Sequence, residues 1–204
     1  MSRATISLGQ HELRDLLAAW IALSFAFALL FFRGAFQPGG SSLTASLPFA
    51  VGVCAVTAGV AFLLHELAHK FVAMHFGYPA AFKADYNMLL LAIFSAMVGF
   101  LFAAPGAVYH PRTGPKESGL IALAGPATNV ALLAVFYPLY LFGGVLGLVG
   151  FLGVWINAFL AGFNMIPYGP LDGRKVWDWN RPVYLVSFAV CGSLAAGAFL
   201  GFLP

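Results

Sequence analysis

Charge is what this chain has least of. Of its 204 residues only 8% are Asp, Glu, Lys or Arg, against roughly 25% in soluble domains. So few charges cannot cover a soluble globule. Disorder, which needs low hydrophobicity and high charge, is excluded as well. Cysteine is scarce too: Cys54 and Cys191 both fall inside apolar stretches. That excludes a disulfide framework and a Cys-x-x-Cys zinc pattern, and leaves both as small packing residues. No basic run and no basic patch interleaved with aromatics exists. The net charge of +3 therefore points to loop charges that orient a membrane protein, not to nucleic acid. Internal repeats and low-complexity segments are missing, and nothing marks a second domain.

What is there is apolar: 61% hydrophobic residues before the 23 glycines are counted. A bilayer core about 30 Å thick needs about 20 apolar residues as helix. Six segments qualify or nearly do: Leu16–Phe32, Leu47–Leu64, Met88–Tyr109, Ser118–Phe142, Val145–Tyr168 and Val183–Leu203. The first follows Arg3 and Arg14 but is longer than the apolar region of a signal peptide, so it is expected to span. Pro38-Gly39-Gly40-Ser41-Ser42 marks a loop over Arg33–Ser46, and His110–Glu117 is a turn-rich link. Gly143-Gly144 is a tight turn. Gly77–Asn87, with Tyr78, Phe82 and Tyr86 among polar residues, is expected to hold a short strand or hairpin. Residues 1–204 read as one membrane-embedded domain.

An ionisable residue in a membrane segment is costly, so it marks a functional site by default. Directly after the second apolar run comes His65-Glu66-Leu67-Ala68-His69. Positions i and i+4 share a helix face, so both imidazoles can reach one metal ion. Glu66 lies about 100° round the helix, where it meets a water rather than the metal. The alternative is a solvated helix end. Late in the chain, Asn164 to Gly173 reads Asn-Met-Ile-Pro-Tyr-Gly-Pro-Leu-Asp-Gly. Its prolines and glycines should unwind the helix, which at membrane depth is tolerated only in a buried or cavity-lining position. Asp172 on that stretch suits a third zinc ligand beside two histidines; a turn-starting Asp is the plain alternative. Gly125-Pro126-Ala127-Thr128-Asn129 puts a proline and an amide inside the fourth apolar segment. A kinked packing helix with an internally bonded Asn explains it as well as a direct role in chemistry. His11, His75 and His110 read as ordinary solvated or interfacial histidines.

Together these three elements, in this order and spanning about half of the chain, resemble the site-2 protease family of zinc intramembrane metalloproteases. The resemblance implies that His65, His69 and Asp172 bind one zinc ion. It implies that Glu66 is the catalytic base, and that Asn164, and less directly Asn129, help hold the substrate backbone or oxyanion. Ala68 departs from the glycine usual in the family's HExGH, and no PDZ or CBS domain fits in this length, so a minimal member is expected. The implied activity is zinc-dependent cleavage of transmembrane segments of membrane-protein substrates. A proteolytically inactive zinc-binding membrane protein of the same fold is the alternative, and the intact Glu66 argues against it.

Shared zinc binding constrains topology. If His65–His69 and Asp172 each follow the C-terminal end of a span, both spans must run in the same direction. One of the two intervening segments must then fail to cross. Met88–Tyr109, with Gly99, Pro105 and Gly106, is the better candidate for a re-entrant or hairpin segment. On that reading Arg3, Arg14, Lys70, Lys83, Arg112, Lys116, Arg174, Lys175 and Arg181 share one face, and only Arg33 lies on the other. The positive-inside rule makes the crowded face cytoplasmic. The expectation is an all-α polytopic membrane protein with five crossings and an active site toward the cytoplasm; six crossings is the alternative.

Overall fold

The computed structural model describes residues 8–32, 46–102 and 105–203. Arg3, Arg33 and the Pro38–Ser42 turn lie outside them. Among the described residues, five helices are long and apolar enough to cross a membrane, and the chain is a multi-pass membrane protein. They are α1 (Gln10–Phe31), the continuous helix Leu47–His75, α5 (Pro115–Tyr140), α6 (Gly144–Asn164) and α8 (Arg181–Phe199). The second is built from α2 (Leu47–Cys54), a π-helical turn (Ala55–Gly59) and α3 (Val60–His75). The remaining elements are β1 (Ala81–Ala84), α4 (Tyr86–Val98), β2 (Gly106–Tyr109) and α7 (Asp172–Trp179).

The segment Met88–Tyr109 does not form a spanning helix, and local chemistry says why. Asp85 caps the start of α4, its Oδ1 accepting the Met88 N–H at 3.1 Å. Gly99, at φ +99°, closes the other end in the left-handed conformation. The 13 residues between them rise only about 20 Å, short of a bilayer core. The chain then turns extended as β2. The strand expected within Gly77–Asn87 exists as β1, but its partner is β2, not a neighbour in a local hairpin. Asp85 N–H donates to the Pro105 carbonyl at 3.0 Å, so the end of β1 meets the start of β2.

By contacts the chain forms two compact units. The one that holds residues 8–63 and 82–107 packs α1 against α4 and the π-helical turn. A π turn leaves carbonyls poorly paired, and here the Trp20 indole N–H donates to the Ala55 carbonyl at 3.0 Å. Gly59 makes room for that ring, because a Cβ there would run into it. Two carboxylates of α1 hold β1: Glu12 accepts the Phe82 N–H at 3.0 Å and Asp15 the Ala84 N–H at 3.1 Å.

The other unit, residues 64–81 and 108–203, packs α5, α6, α7 and α8. Ala122, Ala161, Met165, Val176, Tyr184 and Cys191 form one buried cluster. Leu133, Phe136, Val154, Ala158 and Ala198 form a second. Glycines let α5 and α6 approach closely: a Cβ on Gly150 would meet the Tyr140 backbone, and one on Gly153 the Phe136 ring. Two sequence expectations are corrected here. The helix bearing His65–His69 runs on to His75, so the motif lies inside the helix and not at its end. Lys70, counted as a flanking charge, is buried.

Candidate metal centre

His65, Glu66 and His69 project from α3, and Asp172 opens α7 as its first residue. Asp172 is therefore not on irregular backbone. The Pro-Gly-rich stretch ends α6 at Asn164, and the chain re-forms a helix at Asp172, whose N-terminal turn favours negative charge. Gly173 is needed at this junction because a Cβ there would strike the Met165 backbone. All four side chains are buried.

The histidines turn the same atom toward Asp172. Nε2 of His65 and Nε2 of His69 each lie 3.3 Å from Asp172 Oδ2. Their other ring nitrogens are engaged: Nδ1 of His65 with Asn129 Oδ1 at 2.6 Å, and Nδ1 of His69 with the Ile121 carbonyl at 2.7 Å. Both partners are oxygen acceptors, so each Nδ1 carries the proton, and in the neutral rings both Nε2 lone pairs face a carboxylate oxygen. Oδ2 is buried and accepts no hydrogen bond. Buried acceptors converging on one another are costly unless a cation lies among them. The three ligand atoms lie within 4.8 Å of one another, and two imidazoles with one carboxylate are a zinc donor set that leaves a position open. The cluster could thus hold zinc. Burial by itself would raise the carboxyl pKa of Asp172, but His69 and His65 outweigh it and hold the group below the usual carboxylate range.

Gly125 explains the small residue of the Gly-Pro-x-x-Asn element. A Cβ there would stand 2.5 Å from Nε2 of both histidines, so with any other residue at this turn either α5 or the two rings must shift. Asn129, one turn on, is fully buried and reaches His65 as above. Glu66 accepts a backbone hydrogen bond from Val108 of β2. Lys175 Nζ lies 4.0 Å from Asp172 Oδ1. Asn164 donates its amide to the Leu160 carbonyl of its own helix at 3.0 Å. Sequence reasoning missed Asn157, which accepts from Asn129 at 2.9 Å. The signal was present: it is a second amide inside the apolar run of α6, two turns before Asn164.

No protein-family model and no solved structure matches the chain. Among curated proteins it is similar to "Putative zinc metalloprotease MJ0611" of Methanocaldococcus jannaschii, 41% identical over 183 residues, covering 87% of this chain and 88% of the relative. The equally described YwhC of Bacillus subtilis is 32% identical over 59% of this chain and 65% of its own. Rip3 of Mycobacterium tuberculosis is 32% identical over 58% of this chain, which spans only 29% of that longer protein. Identity at this level, sustained over nearly all of the archaeal relative, makes the chain a member of the zinc metalloprotease family, the site-2 protease family that its motifs resemble.

Proposed function

We propose that this protein is an intramembrane endopeptidase that hydrolyses a peptide bond within or near a transmembrane segment of a membrane-protein substrate. Its catalytic group would be Glu66, and its zinc ligands His65, His69 and Asp172. One observation carries the reading: the three converging donors and Glu66 are buried together, with both histidines and Glu66 on a 29-residue apolar helix of membrane-spanning length. The whole chain acts as one membrane-embedded domain, with the site toward the cytoplasmic face.

Zinc, when bound, polarises the scissile carbonyl and lowers the pKa of water toward about 7. Glu66 takes the proton from the attacking water and later passes it to the leaving amine. His65 and His69 keep Nε2 free for the metal because each Nδ1–H is held. Asn129 acts as a positioning residue for His65, and Asn164 at the end of α6 is assigned to the substrate backbone.

A helical substrate shields its carbonyls, so the segment at the site must be extended. Strand addition is the economical way to hold it. The far edge of β1 is closed to this. Alternate residues of a strand point the same way, and Phe82 and Ala84 already donate to Glu12 and Asp15. The edge that reaches the site is that of β2, where Val108 donates to Glu66, a bond that an incoming strand would have to replace.

The test is cleavage of a model transmembrane peptide by purified protein in lipid vesicles, with zinc content measured on the same sample. Products cut within the apolar segment, lost on chelation and restored by zinc, are expected. One equivalent of zinc with no cleavage of any membrane substrate would favour the inactive zinc-binding alternative.

A further inference from the structure

We infer that Asn157 is a positioning residue that fixes the tautomer of His65 through Asn129, and so helps set the protein's affinity for zinc. The inference deepens the metal-site reading above and rests on it. It begins at a backbone carbonyl. Asn157 Nδ2 donates to the Gly153 carbonyl at 2.8 Å within α6. A carbonyl can only accept, so this bond decides which end of the Asn157 amide faces which way. Its Oδ1 is thereby turned to α5, where it accepts from Asn129 Nδ2 at 2.9 Å. With its NH2 committed to Asn157, Asn129 presents Oδ1 to His65 Nδ1 at 2.6 Å. An oxygen at that distance requires Nδ1 to carry the proton, which leaves Nε2 as the lone pair toward Asp172.

The arrangement to be excluded is an inverted Asn129. Its amide could turn over and offer NH2 to Nδ1, placing the ring proton on Nε2, where it blocks the metal. Asn157 opposes that inversion, because it would set Asn129 Oδ1 against Asn157 Oδ1, two acceptors face to face. Both asparagines are 0% exposed, and buried polar side chains are costly unless bonded. His69 is fixed more simply, because the Ile121 carbonyl is itself a one-way acceptor. The two histidines thus reach the same tautomer by different routes, one direct and one through two amides.

The relay separates cleanly from packing by substitution. Asn157→Val keeps a compact side chain but removes the acceptor for Asn129. Asn157→Asp, protonated in so buried a place, still donates to Gly153 and still accepts from Asn129, so it preserves the sense of the relay. Zinc affinity is measured by competition with a chelator in detergent-solubilised protein. The imidazole tautomers of the metal-free chain are read from 15N-histidine chemical shifts well above the ordinary histidine pKa. We expect the wild type to show Nδ1–H at both His65 and His69. Asn157→Val should lose about tenfold or more in zinc affinity, the range for outer-shell partners of metal ligands. It should gain an Nε2–H population at His65 alone. Asn157→Asp should stay close to wild type in both readouts. A role in packing alone would leave the His65 tautomer unchanged in the valine variant, and that result, or unaltered zinc affinity, overturns the relay. Should the valine variant fail to fold, the wild type and Asn157→Asp decide: an Nε2–H form at His65 in the former, or weakened zinc binding in the latter, is equally fatal. A wild-type chain that takes up no zinc sinks the metal site itself, a failure distinct from any of these.

Discussion

Gly125 on α5 sits so close to His65 on α3 that a single methyl group on its Cα would come within 2.5 Å of the imidazole Nε2. The same methyl would be equally close to Nε2 of His69. Glycine here reserves the space on the metal side of both rings. Gly125→Ala should therefore lower zinc affinity while leaving the membrane helices formed. Overpacking of this kind costs about 1–3 kcal/mol, which taken out of zinc binding is about 5- to 150-fold. Zinc titration against a competing chelator checks it, and an unchanged affinity would mean that α5 yields easily at this turn.

Glu66→Gln separates binding from chemistry. Glu66 is not among the three converging donors, so the variant should bind zinc as the parent does. The amide cannot accept the proton of the attacking water, and general-base catalysis of this kind contributes about 10²–10⁴-fold. Cleavage of the vesicle-borne peptide should fall by at least that lower bound at unchanged zinc content. His65→Ala should lose both. Full activity in Glu66→Gln would assign the base elsewhere.

The pairing of His65 with His69 was legible in the sequence because its signal is local, and Asp172 joined them through the family resemblance. The i, i+4 spacing of His65 and His69 fixes them on one face of any helix, and Asp172 announces itself as a carboxylate in an apolar chain. What stayed hidden depends on contacts between elements. Nothing in the neighbourhood of Gly125 says that α5 passes α3 at that residue, and nothing near Asn157 says that its partner is Asn129, 28 positions earlier. The pairing of β1 with β2 across α4 is likewise a tertiary fact: of the short strand or hairpin expected in Gly77–Asn87 the strand is there, and its partner lies beyond the reach of local sequence. The length of the motif helix was misjudged for a different reason. His65, Glu66, His69 and Lys70 end the apolar run by composition, yet all four are buried and the helix continues beneath them to His75. Hydropathy marks where polar residues begin, not where the backbone stops.

Removal of the metal should be costly in stability. Without a cation, Asp172 Oδ2 is a buried oxygen with no hydrogen-bond donor beside two ring nitrogens. A ligand bound only by the native state stabilises it by about 4 kcal/mol at a thousand times its dissociation constant. Adding zinc to chelated protein should raise the thermal midpoint, and Asp172→Ala should abolish the rise. An equal rise in the variant would show that zinc acts at another place on the chain.

The proposed topology follows from the same three candidate ligands. His65 and His69 on α3 meet Asp172, which follows α6. α3 and α6 can share that meeting only if both enter it from the same side of the bilayer. Between them lie α4 and α5. α5, at 26 residues, is long enough to cross, whereas α4, at 13 residues between its Asp85 cap and Gly99, is not. An odd number of crossings between the two motif helices is thus built into helix lengths as well as into the shared site. On the proposed reading the link before α5 and the start of α7 lie on one face, and the basic residues gathered there by sequence, Lys70 apart because it is buried, favour the cytoplasm for it. With Cys54 and Cys191 replaced by alanine, Thr113→Cys and Arg174→Cys should both react with a membrane-impermeant thiol reagent added to inverted vesicles, and neither should react in intact cells. Reaction of both in intact cells would reverse the orientation while leaving the site intact. Labelling from opposite faces would require the 13-residue helix and the strand after it to cross the bilayer, and the one-sided access of the metal centre would fall with that result.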